Sequence, residues 1–297
     1  MKGTTLALLA VFLAAILGSA VVPLIKIGLQ TIPPFAFTLL RFVIALVFIL
    51  PIFLREKPKI KNILEVVPVT LLSTINIILF ILAVRFIPAN IGTLIYVMVP
   101  IIVSILSYFV LNEKITWIKI LGVLLGFLGS LILFFSSTVI GFSSLDNLVG
   151  IVLIFVGAVS YSFYLIFSKS LQKKYSPVYI TSVFNLTTVL ASLLFLPAEL
   201  NLLDVNRFDI SLVSVASILY VSVVGTSLYY LLGQYAVKYG SPIFSSLILY
   251  VQVPFTAIAA SLIIGEKVTS NFWVAAAFIV IGSVLVSKPD KLTTVRD

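Results

Sequence analysis

The 297-residue sequence contains no cysteine and no histidine. Without thiols there is no disulfide, no thiolate nucleophile and no Cys-bound metal. Without imidazole there is no histidine base, no His-ligated metal and no His-based pH sensor. Charge is the next scarcity: 10% of residues are charged, against about 25% in a soluble domain. Nineteen basic and ten acidic side chains cannot cover a globule of this size, so a soluble protein is excluded. No acid lies in the middle of an apolar run, which removes the buried carboxylate that proton-coupled carriers commonly use. No glycine-rich phosphate loop followed by Lys-Ser/Thr occurs, so the chain does not itself hydrolyse ATP. No cofactor and no metal are expected.

What is present is apolar. Hydrophobic residues make up 61% of the chain. A membrane-spanning helix needs ~20 mostly apolar residues, and ten such runs are read at 5–25, 34–54, 66–84, 90–111, 117–135, 148–168, 178–197, 213–237, 243–264 and 270–287. Leu17-Gly18-Ser19-Ala20 has the look of a signal-peptide cleavage point, but the run continues apolar to Ile25 and is kept as a span. Continuous runs exclude the ~10-residue alternation of barrel strands. With the N-terminus in the cytoplasm, ten crossings leave fourteen basic residues on that side and four outside, with Arg41 inside a span. This positive-inside bias places both termini in the cytoplasm. The net charge of +9 then marks cytoplasmic loops, with lipid rather than nucleic acid as the partner. The longest outer loop, 198–212, is acidic through Glu199, Asp204 and Asp209.

The chain repeats itself. Ala83-Val84-Arg85-Phe86 recurs as Ala236-Val237-Lys238-Tyr239, Asn112-Glu113-Lys114-Ile115-Thr116 as Gly265-Glu266-Lys267-Val268-Thr269, and Gly129-Ser130 as Gly282-Ser283, all at an offset of 153. Tyr96-Val97-Met98-Val99-Pro100 recurs as Tyr250-Val251-Gln252-Val253-Pro254 at 154, while Ala15, Lys26 and Pro34 fall on Ala158, Lys169 and Pro177 at 143. Five spans form the unit. Five is odd, so the second copy enters the membrane from the opposite side. The expected fold is an all-α membrane protein with ten transmembrane helices as two inverted five-helix repeats, over 1–140 and 141–290, with a short cytoplasmic tail at 291–297. Inverted repeats recur among secondary transporters.

Two five-helix units, each ending in Pro, then Glu-Lys, then Thr, then a Gly-Ser helix, with Gly18-Ser19, Lys26, Pro34 and Arg41 opening the first, resemble the EamA family of the drug/metabolite transporter superfamily. The resemblance covers nearly the whole chain. It implies ten helices, cytoplasmic termini, a central cavity between the halves and export of small metabolites, often amino acids. Arg41 falls on Phe184 in the second unit, and the Pro-to-Glu spacing there is 12 rather than 13.

Several midspan residues are candidates for the site. Arg41 lies about 10 Å past Pro34 along a helix; it reads as an anchor that snorkels outward or a helix clamp, or else as a group for an anionic substrate. Pro100 and Pro254 lack an N–H and free the carbonyls of Tyr96 and Tyr250, so both prolines are expected to kink their helices near the midplane. Tyr250, with Ser246 and Pro254 on its face, is expected to line the cavity, and Gln252 to form an interhelical bond. Asn76, Tyr161, Tyr164 and Tyr229 complete the candidates. Gly157, Ser160, Tyr161, Tyr164 and Ser168 share a helix face that could line a cavity or join helices. Thr116 and Thr269 could cap the helices after Glu113-Lys114 and Glu266-Lys267. Gly122, Gly126 and Gly129 indicate close helix packing, within the molecule or across a dimer, so monomer and homodimer both stay open.

The reading that follows is a secondary transporter, embedded in the cell membrane, that exports small metabolites such as amino acids by alternating access. A flippase or nucleotide-sugar carrier of the same superfamily is the rival. A membrane enzyme on lipid-linked substrates is disfavoured by the missing His, Cys and midspan acid pair.

Overall fold

The computed structural model describes residues 2–83, 86, 95–113, 116–137, 145–200, 211–264 and 271–287. Every regular element among them is helical. In order they are α1 (Lys2–Ser19), α2 (Val21–Gly28), α3 (Pro34–Arg55), α4 (Ile60–Ala83), α5 (Val99–Leu111), α6 (Trp117–Ser137), α7 (Leu145–Leu171), α8 (Pro177–Leu200) and α9 (Leu212–Ser222). A π-helical turn, Val223–Leu228, leads into α10 (Tyr229–Tyr239); α11 (Pro242–Ser246), α12 (Ile248–Ile264) and α13 (Asn271–Ser287) follow. Seven helical stretches are long and apolar enough to cross a membrane, and three shorter apolar helices accompany them at Val99–Leu111, Trp117–Gly129 and Trp273–Val286.

Side-chain size explains which face of each helix turns inward. On α1 the small residues Ala7, Ala10, Ala14 and Ala15 are buried, while the large Leu6, Leu9, Leu13 and Ile16 point out. Lipid tails are as apolar as leucine, so large apolar groups gain nothing by turning inward, and small ones let backbones approach. The same rule sets the α6–α13 contact. A Cβ on Gly122 would stand 2.6 Å from the Gly282 carbonyl oxygen, and one on Gly282 would stand 2.4 Å from that of Gly122. The glycine face of α6 is therefore filled within the molecule by α13.

Packing joins the two ends of the sequence throughout. Helix α3 lies on α8, α4 on α7 and α8, α1 on α10 and α12, α5 on α7, and α2 on α9. The α3–α8 pair is antiparallel and tied at both ends. Pro34 has no N–H, so the first amides of α3 belong to Phe35 and Ala36; Glu199 Oε2 accepts both, at 2.9 and 3.0 Å. At the other end the Ser176 hydroxyl donates to Glu56 (2.6 Å) and accepts the Tyr179 amide (3.0 Å), capping α8 ahead of Pro177. Each helix thus ends on a glutamate that closes the start of the other. Glu199, expected in the outer loop, belongs to the last turn of α8 and is buried.

Four expected spans are interrupted among the described residues, the fourth span at Val97 and Met98. The first breaks at Ala20 between α1 and α2, the eighth widens into the π turn, and the ninth breaks at Leu247 between α11 and α12. Pro100 was expected to kink a continuous helix. It stands instead in the first turn of α5, after turn residues Val97 and Met98: proline fits a helix start because the missing N–H has no partner there anyway. Pro254 does lie inside α12. Lys114, Glu266, Lys267 and Thr269 lie outside the described residues, as do residues 138–144 at the expected boundary between the halves.

Candidate functional site

Four tyrosines meet where α7 faces α10. Tyr161, Tyr164 and Leu165 come from α7, Tyr229, Tyr230, Gly233 and Gln234 from α10, and Ser245 and Ile248 close the space from α11 and α12. They line a narrow crevice with essentially no water-sized free space in this state. Helical spacing puts Tyr161 and Tyr164 on one face, their rings 5.9 Å apart and stacked. Tyr229 and Tyr230 meet edge to face at 5.4 Å. Phe184 of α8 packs against both groups, 5.8 Å from Tyr164 and 4.6 Å from Tyr230. The lining carries no charged side chain.

The polar atoms divide into satisfied and open ones. Gln234 donates to the Tyr164 hydroxyl at 2.8 Å and to Ser168 at 3.2 Å, and its own carbonyl oxygens accept from Gln172. The hydroxyls of Tyr161, Tyr229 and Tyr230 have no protein partner among the described residues. Phenols without a protein partner on the walls of a crevice keep their O–H groups for a polar ligand.

Arg41 stands at the edge of this cluster, close enough to the Tyr229 and Tyr230 phenols to interact electrostatically. Its Nε donates to the Thr226 hydroxyl at 2.5 Å and its Nη2 to the Gly225 carbonyl at 3.2 Å. Both partners belong to the π turn, whose i→i+5 bonding leaves carbonyls turned aside from the usual ladder. Its guanidinium also lies 5.4 Å from the Phe42 ring centre. Arg41 does not snorkel outward as an anchor: it clamps α3 to the π turn, the expected alternative. No carboxylate pairs with it among the described residues.

The profile of the EamA-like transporter family matches residues 5–135 and again residues 148–288. The chain belongs to that family. An uncharacterized transporter of Archaeoglobus fulgidus is 27% identical over 264 residues, covering 88% of this chain and 91% of the relative. An uncharacterized transporter of Clostridium kluyveri is 28% identical over 181 residues, or 60% of this chain and 57% of its own. A crystal structure 17% identical in sequence matches 94% of this chain and 95% of its own at a TM-score of 0.77, a likeness of fold alone.

In this EamA-like transporter the other candidates take separate places. Tyr161, Tyr164 and Tyr229 line the pocket; Tyr96 and Asn76 bond to each other instead, Asn76 also donating to the Gly157 carbonyl at 2.9 Å. Ser160 donates to the Leu72 carbonyl at 2.7 Å. The small and polar members of the α7 stripe thus join helices, while its tyrosines line the pocket. Tyr250, expected at the cavity, is fully buried against α6, where a Cβ on Gly126 would come within 2.3 Å of its ring; its hydroxyl has no partner. Gln252 forms an interhelical bond, Nε2 to the Gly18 carbonyl at 2.9 Å, and its Oε1 is buried without a partner. A Cβ on Gly18 would lie 2.6 Å from the Tyr229 ring and 3.1 Å from Gln252 Oε1. Asn185 is fully buried with neither amide atom bonded. Tyr230, Gln234 and Ser245 were not among the sequence candidates. The signal for the first two was the Tyr229-Tyr230 pair, with Gln234 one turn on.

Proposed function

We propose that this EamA-like transporter is a secondary carrier, not an enzyme, that exports small neutral or zwitterionic metabolites, amino acids or related compounds, across the cell membrane by alternating access. The observation that carries the reading is the pocket: aromatic, uncharged, and edged by three phenols without protein partners. Aromatic faces attract an ammonium group, and Arg41 has three N–H donors left beside the same rings for a carboxylate.

The inverted repeat gives such a pocket access to both sides, and the helix pairing supports it. If the repeats are 1–140 and 141–290, α3 with α8 and α6 with α13 are counterparts meeting each other. The pairs α4–α7 and α1–α10 exchange under the same two-fold, as do α5–α7 and α12–α1. The seven long and three shorter apolar helices supply ten spans once α1 joins α2, α9 joins α10 and α11 joins α12. Both termini then face the cytoplasm, as the basic residues demand.

The test is a ligand screen on purified protein followed by counterflow in liposomes. A ligand at a hundred times its Kd stabilises by about 2.7 kcal/mol, enough to read as a thermal shift. Saturable counterflow of the same compound is the expected result. Flux that rises linearly with concentration overturns the carrier in favour of a pore, and turnover to a product in detergent overturns it in favour of an enzyme.

A further inference from the structure

Below the pocket, α7 and α10 are fastened by a run of hydrogen bonds toward the end of the bundle that carries Lys173, Lys174 and Arg55. It begins at the pocket itself, where Gln234 donates to Tyr164 and Ser168. One turn on, Gln172 donates from its Nε2 to both the backbone oxygen (2.9 Å) and the side-chain oxygen (2.6 Å) of Gln234. Beside it Lys169 reaches across to the end of α10, where the last carbonyls of a helix have no intrahelical partner. Its ammonium donates to Val237 at 2.9 Å, Lys238 at 3.4 Å and Gly240 at 2.8 Å. A cation there also meets the negative end of the helix dipole. These bonds lie between polar groups that water could satisfy equally well. Apolar packing against lipid has no such alternative, so the seam is a place where the bundle can part at small net cost.

We infer that this α7–α10 seam is the gate of the tyrosine pocket on the basic face, with Lys169 as its latch and Gln172–Gln234 as the link from latch to pocket. The inference rests on the transporter reading for its purpose, but not for its test. A molecule that donates to the Tyr164 oxygen from the pocket competes with Gln234 for that acceptor, so its occupancy loosens the same chain of bonds that Lys169 closes at the surface. Lys169 is a positioning residue: it acts on access to the pocket and touches no ligand.

The absence of cysteine makes the test direct. Ser245→Cys places one thiol in the pocket lining. It is exposed to a small, charged, membrane-impermeant methanethiosulfonate, from the basic face in inside-out vesicles and from the opposite face in right-side-out vesicles. Adding Lys169→Met is expected to speed labelling from the basic face about tenfold and to slow it from the other, as a shifted two-state equilibrium requires. Lys169→Arg, which keeps a cation and its donors, is expected to restore the slow rate. Unchanged labelling in Lys169→Met, an equal rise from both faces, or an Arg variant as fast as Met overturns the gate. Should Lys169→Met fail to fold, Gln172→Leu tests the middle of the seam with the same expected asymmetry, and symmetric labelling there overturns it equally. Labelling needs no substrate, so a failed counterflow assay with a sided labelling change would overturn the transport reading and leave the gate standing.

Discussion

Arg41 uses two of its five donors on the π turn, one on a hydroxyl and one on a carbonyl. Lysine offers a single ammonium and cannot hold that fork, so Arg41→Lys is expected to cost about 1.5–3 kcal/mol of stability, read from unfolding in detergent. Stability equal to wild type would mean the clamp is dispensable. Two buried groups without partners point the opposite way. The hydroxyl of Tyr250 and both amide atoms of Asn185 are shut from water and unbonded, a state that costs about 1–3 kcal/mol per group. Tyr250→Phe and Asn185→Leu are expected to melt at or above the wild-type temperature, and Tyr250→Phe to keep full ligand affinity because its ring lies on Gly126, outside the pocket. A fall in affinity at unchanged stability would return Tyr250 to the site. The surface tie of Lys174 to Glu65 is of a different kind. The hydrogen bond to Glu65 raises the Lys174 pKa above the ordinary lysine value. Its contribution is present through neutral pH and is lost as pH rises through the raised Lys174 value. Because the bond from Lys174 holds the Glu65 pKa below the ordinary value, it is lost also as pH falls through the lowered Glu65 value.

At the scale of elements, the glutamate caps of the α3–α8 pair make a prediction that neither helix makes alone. Glu199→Leu removes the carboxylate oxygen that accepts the Phe35 and Ala36 amides at the start of α3. It is expected to cost about 1–2 kcal/mol, as loss of a helix cap does. Glu199→Gln, which retains one acceptor oxygen, is expected to lose less. Thermal melts of the two variants check the order; equal losses would mean charge, not the acceptor, is what matters. Much at this scale was legible in the sequence, because a run of ~20 apolar residues is decided by lipid alone. The interruptions were not. Ala20, Leu247 and the π turn are flanked by or built from small and polar residues (Gly18-Ser19, Ser245-Ser246, Gly225-Thr226-Ser227) that serve equally in close helix packing, so they did not single out a break. Pro100 was legible as a disturbance but not as a helix start, because the residues ahead of it are as apolar as those behind.

For the whole molecule, the basic bias predicts sidedness, and the cysteine-free chain allows it to be read one site at a time. Asn62→Cys on the α3–α4 side is expected to stay protected from an impermeant thiol reagent in intact cells, while Asn206→Cys is expected to label. The reverse pattern would invert the topology. The site was less legible than the topology. Tyrosines at 161, 164 and 229 were recoverable because polar rings on one face of an apolar helix stand out. Tyr96 and Tyr250 stood out by another signal, each four residues before a proline in matched places of the repeat, yet went to Asn76 and Gly126. Which way a tyrosine turns depends on whether the facing helix offers a partner or a glycine, and that is a property of the pair.

The contact between Gly122 and Gly282 has a genetic consequence. Each residue meets the carbonyl oxygen of the other, with no side chain between them. When two packed side chains clash, a smaller partner can relieve an enlarged one; here neither position has anything left to remove. Alanine at either glycine admits no allele-specific suppressor at the other. Revertants of such a mutant should therefore be true back-mutations, or changes that move a whole helix.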